Sequence, residues 1–287
     1  MKLPRIRTFL LAPLALFALF YVALALFLFV DKDTVPSLSM SPDRPYVVVF
    51  FGASGTAGDG ILKAALANPD IGEINVITRR ATPRINAGVA LGKVTMTLHV
   101  VYLDYSAVYD QIVTADAVYW AIGTSSLGVD EKTYGLIHVD FPVEFVTQWI
   151  EVSRKPDISF HYISSSDISA DSRMMWAREK VRAENALFDV AEGTRLRVIA
   201  YRPDYIRPTE EQVHLGQNLL YWFFAPVGSA VRATQIGQAM FEVTARRSEF
   251  DNGDRLGTRE IIRYSNAHER RQAAAGVRLA RRSVPAW

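Results

Sequence analysis

Hydrophobic residues form one unbroken block near the start of the chain, and beyond it they alternate with polar residues. The block, Phe9–Val30, reads FLLAPLALFALFYVALALFLFV and contains no charged residue. At 1.5 Å per residue it would make a helix of about 33 Å, long enough for a hydrocarbon core of about 30 Å. The pattern therefore predicts one transmembrane helix over 9–30, preceded by a basic N-terminus over 1–8.

The residues flanking this block leave its processing and orientation open. Lys2, Arg5 and Arg7 resemble the start of a secretory signal, but the apolar part of such a signal usually spans only about 7–15 residues. A retained anchor is thus preferred over a signal cleaved near Ser37-Leu38-Ser39 and over a buried helix of a soluble protein. The basic residues favour a cytoplasmic N-terminus, with the body across the membrane, although the side of the body stays unresolved.

After a polar linker over 31–45, β-rich apolar runs alternate with helical patterns. This alternation predicts an α/β fold, a Rossmann-type doubly wound parallel sheet, over 46–269, with a small substrate lobe over about 204–269 and a basic tail over 270–287. The predicted strands are 46–51, 74–78, 94–103, 117–122, 158–163 and 196–201. The predicted helices are 60–67, 106–114, 134–153, 174–190 and 231–247.

A glycine-rich turn joins the first predicted strand to the first helix of the body. It reads Gly52-Ala53-Ser54-Gly55-Thr56-Ala57-Gly58. Glycines at this spacing allow a tight turn, a close approach of backbone N–H groups to a pyrophosphate, and close packing of helix on strand. The turn predicts a dinucleotide-binding site that includes Gly52, Ser54, Gly55, Thr56, Ala57 and Gly58, and the alternative is a merely structural turn.

Two arginines, Arg79 and Arg80, follow the second predicted strand of the body. An NAD site usually has Asp or Glu here, to hold the ribose 2′-hydroxyl, whereas guanidiniums suit a 2′-phosphate. The sequence therefore favours NADP over NAD, and the alternative is a pair of solvated surface arginines.

Composition and charge narrow the classes of function. The formal net charge of +2 combines basic ends with an acidic middle, so a nucleic-acid partner is not expected. The chain has no Cys, which excludes disulfides, thiolate metal sites and a cysteine nucleophile. The five basic residues of the tail, which suggest anionic lipid headgroups as a partner, are Arg270, Arg271, Arg278, Arg281 and Arg282.

These motifs together resemble an atypical short-chain dehydrogenase/reductase, similar to the branch of Tat-interacting tumour-suppressor-like proteins. The matching segments are GASGTAG at 52–58, ITRR at 77–80, LDY at 103–105, AIGTS at 121–125, YISSS at 162–166 and YRP at 201–203. The resemblance implies that Asp104 lies near the adenine and Gly123 beside the cofactor. It also implies that Ser165, or Ser166 next to it, binds a substrate oxygen.

The catalytic tyrosine of this family is missing from its slot. The family's Tyr-x-x-x-Lys reads here Trp176-Ala177-Arg178-Glu179-Lys180, so Lys180 matches the lysine that contacts the nicotinamide ribose, while Trp176 replaces the acid. An indole N–H donates a hydrogen bond, but it is not an acid–base group near neutral pH. Tyr205 and Tyr162 are other candidate acids, without motif support.

Two functions therefore stay open at the level of sequence. One is a membrane-anchored NADP(H)-dependent oxidoreductase that transfers hydride to an apolar carbonyl or quinone-like substrate. The other is a non-catalytic NADP(H)-binding sensor or assembly module with a protein partner; a nucleotide-sugar epimerase relative is a weaker third. No metal site is expected, since His138, His161 and His214 lack ligand spacing.

One late aromatic segment, Asn218–Val227, has three interpretations. It reads NLLYWFFAPV and follows the predicted start of the substrate lobe. It is compatible with an apolar pocket wall, with an interfacial patch resting on the bilayer beside the anchor, or with ordinary core.

Overall fold

The computed structural model describes residues 4–30, 34–36, 38 and 42–282. The linker residues Ser37, Ser39 and Ser41, the N-terminal Lys2 and the last five residues of the tail lie outside the described residues, as do the side chains of Arg5, Arg7, Arg278, Arg281 and Arg282.

Ten α-helices and nine strands are described. The helices are α1 Pro4–Val30, α2 Thr56–Ala67, α3 Pro83–Ala90, α4 Tyr109–Ile112, α5 Glu131–Gly135, α6 Phe141–Val152, α7 Met175–Ala191, α8 Leu215–Phe224, α9 Ala233–Ala245 and α10 Thr258–Arg282. The strands are β1 Tyr46–Phe51, β2 Ile71–Thr78, β3 Val94–Leu98, β4 Ala117–Trp120, β5 Ile158–Ile163, β6 Leu196–Arg202, β7 Tyr205–Arg207, β8 Ala230–Arg232 and β9 Arg255–Gly257.

Seven of the strands form one parallel sheet in the order β3-β2-β1-β4-β5-β6-β9, which confirms the predicted Rossmann-type α/β fold. The order reverses at β1, which pairs with β2 on one side and β4 on the other. A crevice forms at the carboxyl ends of the strands where such a reversal occurs, and it is the usual ligand position in open α/β sheets.

The apolar first strand is explained by burial on both faces of the sheet. Val48 and Phe50 pack into a core with α2 and α9, whereas Val49 and Phe51 pack into a second core on the opposite face. Alternate side chains of a strand point to opposite faces, so a strand covered on both sides is apolar throughout. This burial fixes the position of the carboxyl end of β1, where the glycine turn begins.

Several boundaries differ from the sequence prediction. Strand β3 ends at Leu98 rather than 103, and β4 ends at Trp120 rather than 122. The helix predicted over 134–153 starts earlier, at Glu131, and is interrupted by a π-helical segment, Leu136–Asp140. Apolar residues beyond the end of a strand were predicted as strand, because hydropathy does not report where the pairing with the neighbouring strand stops.

The segment after β6 divides into two parts. Strands β7 and β8 form a separate two-stranded sheet with α8 between them, and we call this part, Tyr205–Arg232, the lobe. Helix α9, in contrast, packs in the main core, and β9 completes the main sheet.

The basic tail is a continuation of α10 as far as Arg282, and Arg271 does not face solvent or lipid there. It is buried, and its guanidinium pairs with Asp70 and with Glu242. Arg270 is exposed and donates to the carbonyl of Val35 in the linker, at 2.9 Å. The predicted contact with lipid headgroups is therefore wrong for Arg271, because its guanidinium pairs with two buried carboxylates instead.

Candidate functional site

The glycine turn after β1 depends on the absence of side chains at two positions. Gly52 has φ of 76°, and a Cβ added there would lie 2.4 Å from the backbone of Ala121 at the end of β4. A Cβ on Gly58 would lie 2.1 Å from the carbonyl oxygen of Gly52. Only glycine fits both positions. The turn is closed by the N–H of Gly55, which donates to the Gly52 carbonyl at 3.0 Å.

Helix α2 starts directly from this turn with an open N-terminus. Its N-cap residue is Gly55, and no side chain caps it. The first intrahelical bond is donated by the N–H of Asp59 to the Gly55 carbonyl at 2.8 Å. The N–H groups of Thr56, Ala57 and Gly58 thus have no partner among the described residues, and such groups at a helix N-terminus bind anions.

Asp59 places a carboxylate close to this anion site, but the charge is neutralised. The buried Asp59 accepts from Arg84 Nε at 2.7 Å and from Thr209 Oγ1 at 2.7 Å. Arg84 lies in the first turn of α3, so the pair also joins α2 to α3. Sequence reasoning missed this pair because the two residues are 25 positions apart and no motif links them.

Arg79 and Arg80 lie at the carboxyl end of β2, next to the glycine turn in the sheet order. Both are exposed, and neither has an ion-pair partner within the part of the chain that the structure describes. The local backbone is held by Thr78, whose hydroxyl donates to the Arg80 carbonyl at 3.0 Å and accepts from the Arg80 N–H at 3.3 Å. Both guanidiniums are free to bind an added anion.

Asp104 and Gly123 lie in the loops that follow β3 and β4, two strands that are separated by β2 and β1 in the sheet. The exposed Asp104 carboxylate accepts from the N–H of Ser106 at 2.9 Å, and its hydrogen bonds with Ser106 lower its pKa. Gly123 follows β4, and a Cβ there would lie 2.9 Å from the ring of His138. Nε2 of His138 accepts from the N–H of Thr124 at 3.1 Å, and burial lowers the pKa of His138 to about 3. A neutral, buried histidine therefore supports the loop after β4.

The serine loop after β5 is held from β6. The N–H of Ser164 donates to the Tyr201 carbonyl at 2.7 Å, and the N–H of Ser166 donates to the Pro203 carbonyl at 3.2 Å. Ser165 and Ser166 are half-buried, and neither hydroxyl has a partner among the described residues. These hydroxyls are the groups in the loop that are available for a ligand oxygen.

Lys180 is buried at the carboxyl end of β5. It is 6% exposed, and its ammonium donates to the Tyr162 hydroxyl at 3.2 Å and to the Ile163 carbonyl at 2.9 Å. Burial lowers its pKa to about 7, partly offset by the charge of Glu184. Trp176, one turn earlier in α7, is half-buried and has no hydrogen-bond partner among the described residues.

Neither alternative acid lies free in the crevice. Tyr162 is fully buried, its hydroxyl donates to the His138 carbonyl at 3.0 Å, and burial raises its pKa well above the usual value. The Tyr205 hydroxyl donates to the Gln217 carbonyl at 3.1 Å, and its pKa is also raised by burial. A tyrosine with a raised pKa is a weaker acid at neutral pH, so neither phenol replaces the missing tyrosine.

A cavity of about 540 Å³ lies between α1 and the lobe, and we call it the α1–lobe cavity. Ser166 and Tyr205 line it, whereas Ser165, Trp176 and Lys180 do not. The cavity was not predicted, because hydropathy gives no indication that the apolar helix packs on the body. Among the described residues no cluster of His, Asp and Glu is arranged to hold a metal ion, and His161 is held by Ser159, Tyr201 and Thr244.

Solved structures with this fold include several short-chain dehydrogenases/reductases. A short-chain dehydrogenase/reductase from Serratia marcescens superposes with a TM-score of 0.60 at 15% identity, over 75% of this chain and 97% of that one. A 3-oxoacyl-[acyl-carrier protein] reductase from Brucella melitensis, in complex with NAD, gives 0.57 at 17% identity, over 78% and 98%. BdcA in complex with NADPH gives 0.57 at 11%, over 75% and 94%.

At these identities the likeness establishes the fold alone, which this chain shares with short-chain dehydrogenases/reductases. No protein-family model matches the chain, and no curated protein sequence matches it either.

Proposed function

We propose that the chain is a membrane-anchored, NADP(H)-binding protein of the short-chain reductase type, on the Tat-interacting-protein-like branch of that family. The observation that carries the proposal is the turn Gly52–Gly58, in which two glycines exclude any Cβ and three backbone N–H groups stand free at the start of α2. A pyrophosphate supplies the anion that these groups lack. Neutralisation of Asp59 by Arg84 removes the local charge that would repel it.

The preference for NADP(H) over NAD(H) rests on Arg79 and Arg80. Both guanidiniums are exposed and unpaired among the described residues, at the end of the strand next to β1. A 2′-phosphate accepts charge-assisted hydrogen bonds from guanidiniums, whereas a 2′-hydroxyl gains little from a second cation. Asp104 and Gly123 would complete the adenine and nicotinamide sides of the site.

The leading activity is hydride transfer to an apolar carbonyl or quinone-like substrate. The bound nicotinamide would supply the hydride. Ser166, which lines the α1–lobe cavity, would donate a hydrogen bond to the substrate oxygen, with Ser165 beside it. Since Tyr162, Tyr205 and Trp176 are all unsuited as acids, the proton would come from water, which a quinone-like acceptor tolerates because its reduced oxygen is only weakly basic.

A second candidate function, a non-catalytic NADP(H)-binding sensor or assembly module, is favoured by Lys180. Its ammonium is committed to Tyr162 and to the Ile163 carbonyl, and burial lowers its pKa to about 7. With two of its three N–H groups committed within the protein, this ammonium has little capacity left to bind a ribose hydroxyl or to activate an acid. In this alternative the bound cofactor stabilises the fold, and a partner protein binds the cofactor-bound form of the chain.

Turnover separates the two functions. NADPH oxidation by the full chain in detergent would be followed with a water-soluble quinone and with a medium-chain aldehyde, for the wild type and for Trp176→Tyr. The reductase proposal expects slow quinone reduction by the wild type, and faster aldehyde reduction by the variant because a phenol returns to the family's position. Tight NADPH binding without turnover in either protein would favour the sensor.

Anchorage is proposed on α1. Leu11–Val30 is long and apolar enough to cross a bilayer, and none of its most apolar stretch is buried inside the protein. A buried helix of a soluble protein would be covered by its own core, which is not the case here. Protease protection in intact cells would show which side of the membrane carries the body.

A further inference from the structure

Over residues 11–30, whose side chains the structure describes, helix α1 is half-buried along one face. Its half-buried residues are Tyr21, Leu24, Ala25 and Leu28, which recur every three or four positions, as one face of a helix does. Its other faces are exposed; Leu16 and Leu19, for example, are both 67% exposed. Exposed apolar faces on both sides of a contact stripe are costly in water and are favoured in an apolar solvent.

The contact falls on the lobe, at the C-terminal end of α8. The ring of Tyr21 stacks on Phe223 with a centroid distance of 5.4 Å, and its hydroxyl donates to the Phe223 carbonyl at 2.6 Å. Tyr21 lies near the middle of the Leu11–Val30 stretch. If that stretch spans a bilayer, the residues that contact Tyr21 lie at membrane depth as well.

Helix α8 has the surface that such a position requires. None of its residues is buried, and its exposed apolar side chains are Leu215, Leu219, Leu220, Trp222 and Phe223. The pattern excludes the ordinary core interpretation of this segment. An exposed apolar surface on a helix in direct contact with an exposed apolar span is continuous with the surface that lipid would cover.

Three of the last four carbonyls at the end of α8 are satisfied without water, and the fourth, that of Trp222, lacks its intrahelical donor because residue 226 is proline. The last carbonyls of a helix have no intrahelical partner and are costly to expose to hydrocarbon. Here the Phe223 carbonyl accepts from Tyr21, the Phe224 carbonyl accepts from the N–H of Ser229 at 3.1 Å, and the Tyr221 carbonyl accepts from the N–H of Ala225.

The α1–lobe cavity lies between these two elements and has two kinds of wall. Its apolar wall is formed by side chains of both α1 and the lobe, namely Phe17, Phe20, Leu24, Phe223, Phe224 and Val227. Its polar floor comprises Ser166, Asp167, Asp204 and Ser229. Carboxylates at membrane depth normally face a cavity that holds water or a polar ligand group. The cavity therefore fits a molecule with an apolar body and a polar end.

We propose that α8 and the following turn, as far as Val227, insert into the bilayer beside α1, and that the α1–lobe cavity opens to lipid and admits a membrane-dissolved molecule whose polar end reaches Ser166. The inference rests on the proposed anchorage of α1 and names the substrate class of the same site. The occupant of the α8 surface is lipid rather than a protein.

The chain contains no Cys, so single cysteines can carry a fluorescent probe at chosen positions. We would label Leu219→Cys and Leu215→Cys on α8 and Ser229→Cys in the cavity. Phe27→Cys would report on the span, and Leu127→Cys, at a site 87% exposed on the body, is the matched control. The full chain would be placed in phosphatidylcholine vesicles with nitroxide on the acyl chains, and iodide would report access from water.

We expect acyl-chain nitroxide to quench Phe27→Cys, Leu215→Cys and Leu219→Cys at least threefold more than Leu127→Cys, with Ser229→Cys between them. If Phe27→Cys is quenched but both α8 probes match Leu127→Cys, α8 lies outside the bilayer, and this inference fails while anchorage stands. If Phe27→Cys is not quenched, the anchorage itself fails.

Two further outcomes would overturn parts of the inference. Probes on α8 shielded from both nitroxide and iodide would mean that protein, for instance a second copy of the chain, covers the surface instead of lipid. A Ser229→Cys probe quenched no more than Leu127→Cys would mean that the cavity does not open to the bilayer. Equal thermal transitions of the labelled and unlabelled proteins would verify that each variant is folded.

Discussion

The phosphate end and the chemical end of the crevice differ in what sets their geometry. At the phosphate end, backbone constraints at Gly52 and Gly58 leave N–H groups free, and a buried ion pair neutralises Asp59. At the chemical end, the lysine of the family motif is bonded to Tyr162, and Trp176 stands in place of the acid. Under the proposed function, binding and catalysis are therefore separable: the phosphate end has the groups that binding needs, and the chemical end lacks a proton donor.

The largest effect is expected from Gly58→Ala, which puts a Cβ 2.1 Å from the Gly52 carbonyl oxygen. Backbone on both sides of the turn must shift, and we expect at least a hundredfold loss of NADPH affinity, about 3 kcal/mol. Calorimetric titration would measure it. Gly216→Ala is the control, because a Cβ there meets nothing within 4 Å. Unchanged affinity in Gly58→Ala would show that the turn does not hold the phosphates.

A pH dependence tests the chemical end. Burial lowers the pKa of the Lys180 ammonium to about 7 in the folded protein, whereas in the unfolded chain it has its ordinary value of 10.5. Between these values the unfolded state binds more protons, so this lysine makes stability rise with pH, by up to about 1.4 kcal/mol per unit.

In Lys180→Met that slope disappears. The free energy of unfolding of the wild type, relative to Lys180→Met, should therefore increase by roughly 2 kcal/mol between about pH 7 and about pH 9. Urea denaturation of the full chain in detergent would measure it, with the exposed Lys132→Met as control. A difference that stays constant with pH would mean that Lys180 is solvated and free to reach a cofactor.

Cofactor selectivity tests the phosphate end at its outer edge. Arg79→Ala and Arg80→Ala together should lower the ratio of NADPH to NADH affinity about ten- to a hundredfold, since each removes a charge-assisted hydrogen bond to the 2′-phosphate. Arg154→Ala, which removes an exposed arginine on the α6–β5 connection, should leave the ratio unchanged. The assignment of the two arginines fails if the double variant keeps the wild-type ratio.

The smallest effect is expected at Asp104. Its carboxylate accepts from the Ser106 N–H in an exposed loop, and Asp104→Asn keeps an acceptor there while removing the charge. We expect a change in NADPH affinity of less than about fivefold, measured by the same titration. A loss as large as that of Gly58→Ala would place the adenine contact at the centre of the site rather than at its edge.

The sequence was most informative where local patterns decide the structure. The apolar run of β1 and the glycine spacing predicted a strand, a turn and a helix, and the structure places all three there. Strand β5 was predicted with the observed bounds, Ile158–Ile163. These features depend on residues that are close together in the sequence, and a sequence pattern contains that information.

Features that depend on distant residues were not predictable. Lys180 matched a motif, yet its bonds to β5 depend on how α7 packs, 17 and 18 positions away in sequence. Arg271 was predicted to belong to a basic tail, but it is buried and forms ion pairs with Asp70 and Glu242. The contact of Tyr21 with Phe223 spans 202 positions. The charge and hydropathy of a residue indicate the free-energy cost of burying it, but they do not identify the partner residue that offsets this cost.

The most direct test of the central claim is titration of the full chain in detergent with NADPH and with NADH, alongside Gly55→Ala. A Cβ on Gly55 has room within the protein, 3.5 Å from the Gly52 carbonyl, so this variant should fold normally and still bind less tightly. We predict that the wild type binds NADPH at least tenfold more tightly than NADH and that Gly55→Ala weakens both. A folded wild type that binds neither dinucleotide would contradict the account.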